Sequence, residues 1–340
     1  MWHWFHKRSD NDMNISEFAK LAGVSKSAVS RYFNNGYLSS EKTALIKAAI
    51  EKTGYAPSLS ARSVKNKITK LVGVIIPKLS SESIARITEG ISGVLSEQGY
   101  ELLLVNTAND YNKEIDSLEL FRNNWVDGII LMASVFTKLH KTVLDKIRVP
   151  VVILGQNYKG YNCVCHDDFG AAYSLTKLML DKGASDPACV GVRMDDLATG
   201  KLRFDGFMKA LNEKGLSFHR ENRETADFTF ESGYEHARHL FSGSSRPDAV
   251  FCATDSIAAG VVLYCKENGI RIPQDVMVCG IGDSRLSRIS STTITSAHLH
   301  YKTAGIEAAN MLLSQIDHGK SAPRILQLGY EIVQRESTAR

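Results

Sequence analysis

Between residues 15 and 21 the chain reads ISEFAKL, and Ile15, Phe18, Ala19 and Leu21 recur at helical spacing, the pattern of a short amphipathic helix. Ser16 is placed to cap it. Gly23 ends it, because a residue without Cβ accepts the positive φ of a tight turn. A second helix is predicted over 26–34, capped by Ser25, with Ala28, Val29 and Tyr32 inward and Asn35-Gly36 as its break. A third runs over 41–52, from a Ser40 cap to a stop at Gly54, with Leu45, Ile46, Ala49 and Ile50 inside. Pro57 then restricts the backbone. The next stretch, SLSARSVKNK (58–67), has helical character but no core of its own to join.

After Lys70 the period changes. LVGVIIP (71–77), YELLLVN (100–106), VDGIILMA (126–133), VPVVILGQ (149–156), CVCHD (163–167), ACVGVR (188–193), DAVFCA (248–253) and DVMVCGIG (275–282) read as strands. Amphipathic helices are predicted between them, near 83–98, 111–124, 137–147, 169–182, 199–214 and 255–268. Apolar strands alternating with helices predict an α/β fold of parallel sheets wrapped by helices. About ten such units exceed one sheet, so two α/β lobes are expected.

The length of 340 residues fits this division, being too long for one ordinary core. Net charge is +4 but uneven: residues 1–70 carry 12 Lys/Arg against 5 Asp/Glu, and the remainder is slightly acidic. A basic head on an acidic body points to a polyanionic partner, although a solvated basic face gives the same balance. No apolar run reaches the ~18 residues of a membrane span. The opening MWHWFHKRSDND has no apolar core or cleavage site of a secretory signal, so a cytoplasmic location is expected. Residues 1–12 read as a disordered tail. The six cysteines make no CxxC pair and are expected as reduced, buried thiols.

Two short helices joined by a glycine turn suit a helix-turn-helix, in which the second helix lies in the DNA major groove. The polar face of that helix offers Lys26, Ser27 and Arg31 to base edges; Arg31 suits the bidentate contact to guanine. Ser25 and Ser30 suit phosphates. A small helical cap without DNA would show the same spacing. Catalysis is not expected. Asp167-Asp168 and Asp195-Asp196 are adjacent pairs, unsuited to sharing one reacting atom, and no nucleophile elbow, phosphate loop or metal-protease motif is present. Neither a metal nor a cofactor is predicted.

The chain from 13 to about 335 resembles the LacI/GalR family of bacterial repressors. The resemblance rests on AGVS (22–25), VSR (29–31), Asn34-Asn35-Gly36, GYAPS-x-x-AR (54–62), VDGII (126–130), HDD (166–168), R-x-x-GF (203–207), ATD-x-x-AAG (253–260), IPQDV (272–276) and TTITS (292–296), in that family's order. It implies a helix-turn-helix domain over 13–57, with Asn34 at the DNA, and a hinge helix or linker over 58–69. The hinge would be ordered on DNA, supported by Tyr55, Ser58, Ala61 and Arg62. Val64 would be its minor-groove wedge, where the family usually has Leu, so a shallower bend is implied.

The body is implied to resemble a periplasmic binding protein, with lobe one over 70–168 plus 299–322 and lobe two over 169–298 plus 323–340. An effector would lie between the lobes. Asp168 and Arg203 match effector-contacting positions, and Thr254-Asp255 match an Asn-Asp pair. The family's turn Asp falls on Gly282 here, which shifts Asp283 by one position. Ser83 and Gln156 lie at strand ends facing the proposed cleft. A finer similarity, through RYFNNG (31–36), LGQ (154–156), GIGDS (280–284) and HLHYKTAGIEAA (298–309), is to sucrose-operon repressors of the Gram-positive kind. The implied protein is a homodimeric repressor of sugar-utilisation genes. It would bind double-stranded operator DNA, respond to a small sugar or sugar phosphate rather than a purine, and have no membrane partner. A global regulator using a protein corepressor, or a sugar receptor without a DNA role, are the alternatives.

Overall fold

A computed structural model of the chain describes residues 13–33, 36–55, 68–122, 126–243, 246–319 and 321–340. Two compact units meet at the boundary between Thr69 and Lys70. The expected tail at 1–12 and most of the expected hinge, together with Asn34, Ser58, Ala61, Arg62 and Val64, lie outside the described residues.

The first unit contains helices α1 (Ile15–Leu21), α2 (Lys26–Phe33) and α3 (Ser40–Thr53). Asn14, not Ser16, caps α1. Its side chain accepts from the Ser16 and Glu17 amides, and the Glu17 carboxylate reaches back to the Asn14 amide at 2.8 Å, a reciprocal box that satisfies donors at both places. Ser39, one residue before the expected Ser40, caps α3. Gly23 takes φ 66° in the turn between α1 and α2, as the turn requires. Phe18, Val29 and Ile46 are fully buried, and Tyr55 closes the core with its ring stacked on Phe18 at 4.0 Å. Leu21 and Leu45, expected inside, are exposed at 49% and 45%. Short helices around so small a core bury only a narrow stripe each.

The described residues of the second unit form twelve strands. Along the chain these are β1 (Leu71–Ile76), β2 (Glu101–Asn106), β3 (Gly128–Leu131), β4 (Val151–Leu154), β5 (Asn162–His166), β6 (Pro187–Gly191), β7 (Arg223–Thr225), β8 (Ala249–Cys252), β9 (Met277–Ile281), β10 (Thr295–Leu299), β11 (Ile325–Leu328) and β12 (Tyr330–Val333). They form two six-stranded sheets, ordered β11-β5-β4-β3-β1-β2 and β12-β10-β9-β8-β6-β7. The first sheet is wholly parallel. The second is parallel except where β12 runs antiparallel to β10.

The helices of this unit that matter below are α4 (Glu82–Glu97), α5 (Tyr111–Arg122), α6 (Lys138–Leu144), α7 (Asp168–Asp181), α8 (Arg203–Glu213), α9 (Phe230–Ser242), α10 (Asp255–Glu267), α11 (Arg285–Ile289) and α12 (Tyr301–His318). α4 and α12 pack together over the first sheet at close quarters: a Cβ on Gly90 would lie 2.2 Å from the Lys302 carbonyl oxygen, so no larger residue fits. One apolar cluster runs from Ile76 and Leu154 through Tyr301 and Ala304 to Cys279 and Ala297, joining the two sheets.

The last segment departs from expectation. The family resemblance places residues 323–340 in the second lobe, yet β11 pairs with β5 in the first sheet while β12 joins β10 in the second. Only Gly329 separates the two strands, so the chain crosses between lobes there. Strands β7, β11 and β12 and helices α9, α11 and α12 are not among the elements expected from the sequence. All six cysteines are buried free thiols. Among the described residues, no helix is long and apolar enough to cross a membrane.

Candidate functional site

On α2 the buried and exposed faces separate cleanly. Ala28 and Val29 are buried, and Lys26, Ser27 and Arg31 are exposed side by side at the other face. Ser25 fixes the start of the helix: its Oγ accepts from the Ala28 amide at 3.2 Å and lies 2.9 Å from the Ser27 hydroxyl. Ser30 is half-buried. Gly36 donates its amide to the Arg31 carbonyl at 2.8 Å, which folds the chain back under the Arg31 stem. Tyr55 is not at this surface. It is 7% exposed and spends its ring on the core, so the expected hinge support through Tyr55 is corrected to a packing role; burial pushes its hydroxyl pKa up.

In the second unit a cavity of about 880 Å³ opens between the two sheets, a size usual for small-molecule sites. The carboxyl ends of parallel strands converge here, the expected place for a ligand in α/β sheets. Ser83, Gln156, Asp168, Arg203, Thr254 and Asp255 all line it. Asp168 opens α7 and Arg203 opens α8; the guanidinium bonds Asp168 Oδ1 and the Ala253 carbonyl. Burial opposes the charge on Arg203, but Asp168 and Tyr301 more than offset it, and its pKa is raised. Thr254 caps α10 through the Ile257 amide. Asp255 is 2% exposed, and its two oxygens accept from the Ser296 hydroxyl at 2.6 Å and the Ser284 amide at 2.7 Å. It therefore holds the 282–284 turn, and burial raises its pKa.

Asp283 lies elsewhere. It does not line the cavity; its carboxylate receives Arg335, Arg288 at 2.8 Å and His298 at 3.0 Å. Gly282, which does line the cavity, has φ 136°, a backbone that strains any side chain. The one-residue shift in the turn thus turns the acid away from the ligand side.

Several lining groups had no signal in the sequence. Asp196, 5% exposed, caps the π-helical turn Leu197–Leu202 through the Thr199 amide at 2.9 Å and approaches Gln156 Nε2 at 3.5 Å across the cleft. Burial pushes its carboxyl up to about 6. Lys78, after β1, sits over the Phe228 ring of the other lobe at 4.4 Å, and burial lowers its pKa against the pull of Asp196 and Asp227. Arg285 donates its amide to Glu82 at 3.0 Å, a further bridge between lobes. Each follows the carboxyl end of a strand or precedes a helix, which is the clue that position alone offered.

Two buried side-chain atoms among the described residues lack a hydrogen-bond partner, His166 Nε2 and Ser284 Oγ, and both residues line this cavity. Burial lowers the His166 pKa and favours the neutral ring, against the pull of Asp168 and a backbone hydrogen bond with His300. Nε2 is left to accept a hydrogen bond.

A family model for bacterial regulatory proteins of the lacI family matches residues 14–58, and one for a periplasmic binding protein-like domain matches 176–338. The sucrose operon repressor of Staphylococcus xylosus is 32% identical over 315 residues, 92% of this chain and 97% of that protein. The HTH-type transcriptional repressor PurR of Pasteurella multocida (strain Pm70) is 31% identical over 329 residues, 95% of this chain and 98% of its own. Among solved structures, a CelR–cellobiose complex is similar with a TM-score of 0.74 at 26% identity, covering 96% of this chain and 99% of that one. The lac repressor dimer bound to operator and the anti-inducer ONPF shares the fold, with a TM-score of 0.82 at 19% identity over 96% of this chain and 99% of that one. An exposed polar face on α2, a ligand-sized cleft between two lobes and 32% identity to a repressor over 92% of the chain lead to one conclusion: the chain belongs to the LacI family of bacterial regulatory proteins and is a DNA-binding transcriptional repressor, not an enzyme.

Proposed function

We propose that this repressor controls sugar-utilisation genes and that its effector is a neutral sugar of disaccharide size, bound between the lobes of each subunit of a homodimer. The observation that carries the reading is the cleft's lining of neutral hydrogen-bonding side chains, Ser83, Gln156, His166, Thr254 and Ser284 among them. Hydroxyls of a polyol donate and accept at once, so they suit such a mixed set of donors and acceptors. The charge balance narrows the class. Five acids (Glu82, Asp168, Asp196, Asp227, Asp255) line the cavity against three cations (Lys78, Arg86, Arg203). Arg203 is already bound to Asp168. A phosphate monoester would meet excess negative charge, which disfavours the sugar phosphate and favours the uncharged sugar. The Phe228 ring lines the cavity as an apolar surface, with Lys78 over one face.

Lys26, Ser27 and Arg31 read base edges in this reading, Ser25 and Ser30 meet phosphates, and Asn34, Ser58, Ala61, Arg62 and Val64 complete the DNA interface. Two headpieces engage a pseudo-palindromic operator, one half-site each. The sugar acts by binding one lobe arrangement better than the other, which shifts the population of the DNA-competent state. The kinship to a sucrose operon repressor and the likeness to a cellobiose complex support a disaccharide.

The test is a gel shift on DNA upstream of the protein's own gene and its neighbours, titrated with sucrose, cellobiose, trehalose, their phosphates and fructose phosphates. A shift altered by one neutral disaccharide is the expected result. A response to phosphorylated sugars alone would overturn the neutral-ligand reading, and no sugar response with intact operator binding would overturn the sugar class.

A further inference from the structure

At the far edge of the second sheet, away from the cleft lining, β7 carries two charged residues on alternate faces. Arg223 lays its guanidinium on the Phe204 ring at 4.1 Å. Glu224 turns to α9, where its Oε2 lies 2.6 Å from His236 Nδ1 and 3.8 Å from His239 Nδ1. His236 and His239 are three residues apart and share one helix face. The three ligand atoms all fall within 4.8 Å of one another. Glu224 and His236 are each 22% exposed at the side chain, so packing holds them, whereas His239 is 55% exposed and has room to turn inward. The neighbouring charges do not compete, because Arg238 and Glu235 bond each other. The pair of imidazoles also sits in the last two turns of α9, where the helix dipole favours positive charge.

We propose that Glu224, His236 and His239 bind a divalent ion of the zinc class. Two imidazole nitrogens and one carboxylate oxygen, completed by water, are a usual zinc ligand set with tetrahedral geometry. Bonds of about 2.0–2.2 Å at tetrahedral angles place the ligand atoms about 3.4 Å apart, so Glu224 Oε2 and His236 Nδ1 must separate from 2.6 Å while a turn of His239 brings its Nδ1 in from 3.8 Å. Binding takes neutral imidazoles and an ionised carboxylate, so any proton on His236 or His239 is released to solvent. The ion replaces the existing His236–Glu224 hydrogen bond.

The site has a consequence for the cleft. Glu224 precedes, and the two histidines follow, the stretch Asp227–Phe230, all four residues of which line the cavity. The Asp227 amide donates to the Ser232 hydroxyl at 2.9 Å, and Thr229 caps α9. An ion joining β7 to α9 clamps both ends of this loop, including the Phe228 ring under Lys78.

The experiment uses full-length, tag-free protein. Zn²⁺ is titrated by calorimetry and Co²⁺ by visible absorption, in the wild type, His239→Ala, Glu224→Gln and His3→Ala/His6→Ala. Amide exchange of residues 226–229 is followed with and without Zn²⁺. Expected are one equivalent per chain, a tetrahedral Co²⁺ spectrum, slower exchange of the loop, and affinity weakened at least ~10-fold in each site variant. His239→Ala, on an exposed side chain, retains operator binding as its folding control. Absence of stoichiometric binding, equal affinity in the site variants, or loss of binding in the His3/His6 variant would overturn the site. Binding without slowed exchange would overturn the clamp.

Discussion

Arg203 meets a single oxygen of Asp168 twice, through Nε at 2.8 Å and Nη2 at 2.7 Å, with both side chains buried on the wall of the cleft. Removing one partner strands a charge, whereas removing both does not. Arg203→Ala is therefore expected to cost roughly 3–5 kcal/mol in urea unfolding, while Arg203→Met/Asp168→Leu recovers most of that loss. Both variants should lose the effector response, measured as ligand-induced change in operator affinity. A double variant as unstable as the single one would show that the pair contributes net stability.

Arg31 is exposed on the polar face of α2 that we propose meets DNA. Arg31→Ala should weaken specific operator binding by about 1–3 kcal/mol and leave the unfolding midpoint and effector affinity unchanged. Fluorescence anisotropy on operator and scrambled DNA separates lost specificity from lost charge.

The small headpiece core depends on the Phe18–Tyr55 stack. Phe18→Ala removes a fully buried ring and should cost about 3–5 kcal/mol. For so small a unit that loss abolishes DNA binding. Effector binding, carried by the second unit, should persist in calorimetry, and its loss would tie the stability of the two units together.

Asp196 holds its proton up to about pH 6 in the folded chain, against 3.8 ordinarily. Between those values the native state binds a proton that the unfolded state has lost, so stability falls as pH rises through this window and stays lower above it. The shift corresponds to roughly 3 kcal/mol. Asp196→Asn keeps an acceptor for the Thr199 amide and should be more stable than wild type at pH 8 by up to that amount. The advantage should vanish near pH 4. Denaturant melts at the two pH values decide it.

Asp283 behaves in the opposite sense. Burial opposes its charge, but Arg335, Arg288 and His298 offset this and pull its pKa below the usual value. Its contribution is present above the ordinary carboxylate pKa and fades as pH falls through the lower folded value. Asp283→Ala should destabilise by about 3 kcal/mol at neutral pH, leaving Arg335 unpaired, yet leave effector affinity unaltered. A selective loss of effector binding would return Asp283 to the cleft.

The sequence by itself determined the three helices of the first unit and the alternation of strands and helices from β1 to β6, because helical and strand periods are local and Gly23 and Gly54 mark helix ends. It also placed Lys26, Ser27 and Arg31 on one face, since 3.6 residues per turn fixes which side chains share a surface. The similarity to LacI-type repressors carried Asp168 and Arg203 to the cleft wall. Other features depend on contacts far apart in sequence. Whether Asp255 faces a ligand or ties down the 282–284 turn was decided by Ser296, 41 residues away. The crossing of 325–333 between sheets was decided by which strand edge was left open. Asp196 and Lys78 look ordinary in the chain, and His166 stands out only as part of HDD; they matter because folding brings them to one cavity, and burial changes the free energy of a polar or charged group far more than its neighbours in sequence do.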